Sequence, residues 1–111
     1  MLRLEKSTEN QNEILSLFGE VDASNSVILD EAIQELVDGG SQSIIIDGEK
    51  LDYISSAGLG VFMSYLEDFN EKGISMKICG LTPKVFEVFK ILGLDQLIPI
   101  YKDRVAAIAE L

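Results

Sequence analysis

Leu51–Phe62 reads LDYISSAGLGVF. An apolar stretch reaches two adjacent serines, Ser55 and Ser56, and gives way to Ala57, Gly58, Leu59 and Gly60. Beyond them Leu59, Phe62, Leu66 and Phe69 step by three, four and three, the spacing of the apolar face of a helix, and Gly73 stops the run. Upstream, Ser43–Asp47 (SIIID) is a short continuous apolar run. Such a run fits a central strand covered on both faces, as in a parallel sheet. GEKLDYI then reads as a loop leading into the serines. Strand, loop and helix in this order predict an α/β unit, with the serines at the start of the helix.

A serine at that position can accept a hydrogen bond from an unpaired backbone N–H of the first turn. One cap suffices, yet two serines are present. Gly58 and Gly60 also fall in the first turn, where each costs up to about 1 kcal/mol relative to alanine. Glycines there leave the backbone open to another molecule or let the helix pack closely on its own sheet. The start of a helix favours negative charge, so a phosphoserine is compatible with the fold. It would add roughly −1.5 to −2 charges to the surface.

The rest of the chain extends the same pattern. Met1–Glu5 reads as a short strand, STENQN as a turn, and Glu13–Val21 as the next strand. Asp22–Asn25 is a cluster of capping residues, with Leu29, Ile33, Leu36 and Val37 at helical spacing behind it and Gly39-Gly40 at the end. Ile74–Cys79 is a strand. Thr82-Pro83 opens a helix with Phe86, Phe89 and Leu92 as its apolar face, closed by Gly93. Leu97–Tyr101 is a last short strand, and Asp103–Leu111 a terminal helix with Val105 and Ile108 inward. The sum is a single α/β domain over residues 1–111, with a mixed, mainly parallel sheet of about five strands and about four helices. The first strands are antiparallel at one side.

Composition narrows the function. The 111 residues are 47% hydrophobic and carry a formal net charge of −10. So acidic a surface repels nucleic-acid phosphates and anionic membranes, which argues against either as a direct partner. No apolar run approaches the roughly 20 residues that span a bilayer, and the N-terminus lacks the apolar core of a signal peptide, so a cytoplasmic location is expected. Histidine is absent and Cys79 is the sole cysteine, placed in an apolar strand as a core residue. That excludes Ser-His-Asp triads, Cys-His dyads and histidine metal sites. The carboxylates show no metal-binding spacing, and neither G-x-G-x-x-G nor a P-loop is present. No catalytic residue, metal or cofactor is expected.

With the junction and the strand–helix order in view, the chain resembles a STAS domain of the bacterial anti-sigma-factor antagonist type. The matching segments are Phe18–Asp22 (FGEVD), Ile44–Asp47 (IIID), Leu51–Phe62 and Leu81–Asp95 (LTPKVFEVFKILGLD). The resemblance implies a partner switch. The unphosphorylated antagonist binds an anti-sigma factor that is also a serine kinase with a GHKL-type ATP site, and the sigma factor is released. The kinase then phosphorylates the antagonist and the complex separates; a PPM-type phosphatase restores the binding form. The antagonist is a kinase and phosphatase substrate, not an enzyme. Nothing in the sequence fixes an oligomeric state, and a monomer when free is the default expectation.

By the resemblance, the phosphoacceptor lies two residues before the first glycine of G-L-G, at Ser56. The preceding residue is often aspartate in the family; here it is Ser55, which makes Ser55 a second acceptor candidate. Helical geometry puts Gly60 and Met63 on the face of Ser56, away from the core stripe, with Ser64 continuing that outer face. The loop after the first long strand, Asp22, Ala23, Ser24 and Asn25, borders the same surface by resemblance; Asp22 is also an N-cap candidate for the first helix, a role compatible with the other. The expected partner-binding set is therefore Asp22–Asn25 with Ser55, Ser56, Ala57, Gly58, Gly60, Met63 and Ser64. The alternative is a STAS scaffold in a signalling complex without sigma-factor output.

Overall fold

The computed structural model describes residues 1–109. Five strands and four helices alternate: β1 (Leu2–Glu9), β2 (Asn12–Val21), α1 (Ser26–Asp38), β3 (Ser43–Ile54), α2 (Ser56–Lys72), β4 (Ser75–Cys79), α3 (Pro83–Ile91), β5 (Ile100–Tyr101) and α4 (Arg104–Ala109). The strands form one sheet in the order β1-β2-β3-β4-β5. β1 pairs antiparallel with β2, and the remaining pairs are parallel. Each parallel pair is joined through a helix, as its geometry requires.

Side chains sort to the two faces of the sheet by the two-residue period of a strand. Leu15 and Leu17 of β2, Ile44 and Ile46 of β3, and Ile78 of β4 pack with α1, α2 and α3 in the main core. Ile14, Ile45 and Cys79 point the other way and form a smaller cluster with Ala107 of α4. Three consecutive isoleucines are therefore buried on both faces of β3, which is why SIIID does not alternate. Phe62 and Phe89 lie fully buried with ring centroids 6.0 Å apart and join α2 to α3. Burying a side chain of that size contributes roughly 1.5–3 kcal/mol.

Several boundaries differ from the sequence-based expectation. β1 continues through Ser7–Glu9, paired to Asn12–Ile14, and the turn shrinks to Asn10-Gln11, both at positive φ. Two positive-φ residues make the tight hairpin turn whose twist suits its strands. Asn12 steadies it by donating to the Glu9 and Asn10 carbonyls at 3.1 and 3.2 Å.

GEKLDYI is strand, not loop: after a register shift beside Ser16–Phe18, β3 resumes with Lys50 opposite Phe18 and Ile54 opposite Val21. In α2, Tyr65 is buried and Leu66 only half-buried. The buried face of α3 is Val85 and Phe89, while Leu92 is 51% exposed just past the helix. Most of Leu97–Tyr101 is irregular, leaving a two-residue β5. Val105 is 77% exposed, and Ala107 takes the inward position in α4. Residues 110–111 of the expected terminal helix lie outside the described residues.

Candidate functional site

The parallel strands β2 and β3 end side by side, Val21 beside Ile54. The Ser55 N–H donates to the Val21 carbonyl at 2.9 Å, which ties the start of α2 to the loop that follows β2. Ser55 is the cap of α2: its backbone is extended and its hydroxyl accepts from the Gly58 N–H at 3.4 Å. Its carbonyl accepts the first helical bond, from Leu59 N–H at 3.0 Å. Ser56 is thus the first helical residue rather than a cap, and it is exposed.

The two glycines have different surroundings. Gly58 is buried, and a Cβ there would lie 2.6 Å from a Val21 methyl and 2.7 Å from Ile54 Cγ1. Its place is against the sheet, so it adds nothing to the exposed surface that the expected set assigns it to. Gly60 is exposed, and beyond its chain neighbours and the nearby backbone of its own helix nothing lies within 4 Å of where a Cβ would stand.

Met63 and Ser64 are exposed on the same helix; the Ser64 hydroxyl donates to the Val61 carbonyl at 2.6 Å. Ala57 is half-buried. α2 is held against α1 by Tyr65, whose hydroxyl donates to the Asp30 carboxylate. Burial, then this bond, pushes the Tyr65 hydroxyl well above its usual range.

The β2–α1 loop is built by its own side chains. Asn25 is buried; its carboxamide accepts from Asp22 N–H at 2.9 Å and donates to the Glu20 carbonyl at 3.0 Å. Asn25 occupies the cap position of α1 without a side-chain cap bond. Asp22 does not cap the helix with its carboxylate either. That group accepts from the Ser24 hydroxyl at 2.6 Å and the Ser24 N–H at 2.9 Å. These bonds, the hydroxyl's first, hold Asp22 below the ordinary carboxylate range.

The structure thus brings Ser55, Ser56 and the Asp22–Asn25 loop together at one end of the sheet, with Ala23 and Ser24 exposed. Sequence reasoning passed over Val27, exposed in the first turn of α1 beside this loop. Its signal is an apolar residue off the Leu29–Ile33–Leu36 stripe. Among the described residues no group of three or more His, Cys, Asp or Glu side chains is arranged to hold a metal ion, and no helix is long and apolar enough to cross a membrane.

The family model described as "STAS domain" matches residues 4–107, nearly the full length of this fold. The chain belongs to the STAS domain family. Among curated members, the anti-sigma F factor antagonist of Paenibacillus polymyxa is 33% identical over 102 residues, 88% of this chain and 85% of that protein. The anti-sigma-B factor antagonist of Staphylococcus aureus is 27% identical over 96 residues, 86% of this chain and 89% of the relative. The STAS fold recurs in the solved structure of the anti-sigma factor antagonist SpoIIAA in its unphosphorylated form. That structure superposes with a TM-score of 0.79 at 22% identity, covering 97% of this chain and 93% of SpoIIAA. The five-stranded, mostly parallel sheet with four helices matches the fold of that solved structure.

Proposed function

We propose that this protein is an anti-sigma-factor antagonist switched by phosphorylation of Ser56. The observation that carries the reading is the division of labour at the start of α2. Ser55 supplies the cap, and Ser56, one residue on, is exposed at a helix N-terminus. A phosphate on Ser56 would meet the positive end of the helix dipole, so the fold tolerates it. It would also place nearly two negative charges at the end of the sheet that carries the Asp22–Asn25 loop, where the Asp22 carboxyl stays ionised. A partner fitted to the neutral surface would then face an added charge it cannot pair.

In this reading the unphosphorylated protein binds an anti-sigma factor with GHKL-type serine kinase activity and so frees the sigma factor. The docking surface is exposed Ser56, Gly60, Met63 and Ser64, flanked by the Asp22–Asn25 loop. The kinase's ATP gives its γ-phosphoryl group to Ser56 Oγ, ADP leaves, and the complex separates. A PPM-type phosphatase hydrolyses the phosphoserine. The protein acts in the cytoplasm as a substrate and competitor, a single domain that is monomeric when free. The names of the relatives, and similarity over most of their length, support the antagonist role.

Ser55 is the weaker acceptor because its hydroxyl is half-buried and engaged with Gly58 N–H. The test is incubation with the cognate kinase and Mg-ATP, followed by peptide mass spectrometry. One phosphate is expected, on Ser56. Phosphate found solely on Ser55, or undiminished in Ser56→Ala, overturns the assignment.

A further inference from the structure

The face of the sheet opposite α1–α3 is covered by α4, a helix of six residues. Its buried apolar contribution is Ala107, set against Ile14, Ile45 and Cys79, with Ile108 half-buried at the margin. Val105, the other large apolar residue of the helix, points to solvent. A helix this short has little stability of its own, and the apolar contact beneath it is small. Its first turn is closed by Asp103, whose carboxylate accepts from Ala106 N–H at 2.8 Å.

Polar bonds supply the remainder, and Arg104 makes most of them. Its guanidinium donates twice to one Asp47 oxygen, from Nε at 3.0 Å and from Nη2 at 2.7 Å. It also donates to the Ser16 hydroxyl and to the Glu9 carboxylate, each at 3.1 Å. One side chain of α4 therefore spans β1, β2 and β3. Lys77 of β4 adds a bond to the Ala107 carbonyl at 3.1 Å. Asp47 is only 7% exposed, and its second oxygen accepts from Glu49 N–H at 3.0 Å where β3 shifts register. A buried carboxylate stripped of its cation is costly, so the clamp is worth more to the docked helix than an exposed ion pair would be.

We propose that α4 is a latch: it opens locally while the rest of the fold stays intact, the Arg104–Asp47 clamp sets how often, and opening uncovers Ile14, Ile45 and Cys79 as a second apolar face. This goes beyond the switch at Ser56 and does not depend on it. A local opening involves few buried contacts and exposes little surface, so its equilibrium is nearly insensitive to denaturant, whereas global unfolding is steeply sensitive.

Cys79 is the built-in reporter. It is the sole cysteine and lies 1% exposed directly under α4. Its burial first, and the charge of Asp47 second, push the thiol up to about 12, which silences it while α4 is docked.

The experiment is alkylation of Cys79 by iodoacetamide in the folded protein, across a series of sub-denaturing urea concentrations, in the wild type, Arg104→Met and Arg104→Lys. The wild-type rate is expected to be flat at low urea and to rise steeply only near the global transition. Arg104→Met should lift the flat portion about tenfold or more, by leaving Asp47 buried and unpaired beneath the docked helix, so that the closed state is the one destabilised. Arg104→Lys, which keeps the charge but loses the two-pronged contact, should fall between and folds with the clamp partly intact. Wild-type labelling that follows the full urea slope of global unfolding at every concentration overturns the proposal. So does a flat portion that neither substitution moves.

Discussion

Ser55 Oγ and Gly58 N, 3.4 Å apart, close the first turn of α2 and leave the neighbouring Ser56 without a structural task in that turn. Stability and, in the proposed reading, switching are thereby assigned to adjacent residues. Ser55→Ala should lose roughly 0.5–2 kcal/mol of unfolding free energy. Ser56→Ala should stay within about 0.5 kcal/mol of the wild type. Urea unfolding of the two variants measures both, and equal losses would contradict the assignment.

The same separation predicts opposite binding behaviour for two Ser56 variants. Ser56→Ala keeps a neutral surface and should bind the kinase without being released. Ser56→Asp should fold well, since an acidic group suits a helix start, and should bind poorly. Its one charge against the nearly two of phosphoserine makes it a partial mimic. Titration calorimetry against the kinase reads the difference. Tight binding by Ser56→Asp with lost binding by folded Ser56→Ala would reverse the picture.

Gly58 and Gly60 should diverge as well. Gly58→Ala forces a methyl into Val21 and Ile54 and should cost about 1–3 kcal/mol. Gly60→Ala meets open space and should gain up to about 1 kcal/mol from helix propensity. Gly60→Arg should remain folded and weaken kinase binding, because its side chain would occupy the surface below Ser56. Thermal unfolding and a binding titration on the same samples check all three.

The Cys79 thiol gives a pH-dependent prediction. Its proton is held to about 12 in the folded protein, against an ordinary value of 9.0. Between those values the folded state binds more protons than the unfolded one, so stability falls as pH rises, by at most about 1.4 kcal/mol per pH unit. Tyr65, ordinarily 10.0 and raised further, adds a loss of the same sign starting at higher pH. In urea unfolding across mildly alkaline pH, Cys79→Ala should lose stability less steeply than the wild type. Parallel slopes would place the thiol's proton elsewhere in the balance.

Much of this architecture is legible residue by residue. Ile44, Ile45 and Ile46 announce a strand buried on both faces, and Thr82-Pro83 marks its helix start as cap and first residue. The second half of β3 is hidden because Glu49, Lys50, Asp52 and Tyr53 face solvent around a register shift, so no period of two survives there. In α4, the choice between Val105 and Ala107 turns on which flank meets the sheet, and hydropathy favours the wrong one. The neighbourhood of Ser56 is mostly local in sequence and readable from helical spacing. The fate of Gly58 depends on Val21, and the Arg104–Asp47 clamp joins residues 57 positions apart. Neither leaves a pattern in the linear chain.

The sheet order repeats the order of synthesis. Each strand docks on the one made just before it, from β1 to β5. Such sequential pairing keeps loop-closure costs low and lets structure accumulate as the chain emerges from the ribosome. The polar contacts of the last helix break the rule: Arg104 reaches back to Asp47 and Ser16 and, in the longest contact, across 95 residues to Glu9 in the first strand. The Ser55–Ser56 junction is complete once β3 and α2 are made, well before that contact becomes available. The nascent protein therefore completes the serine junction first and its clasp last.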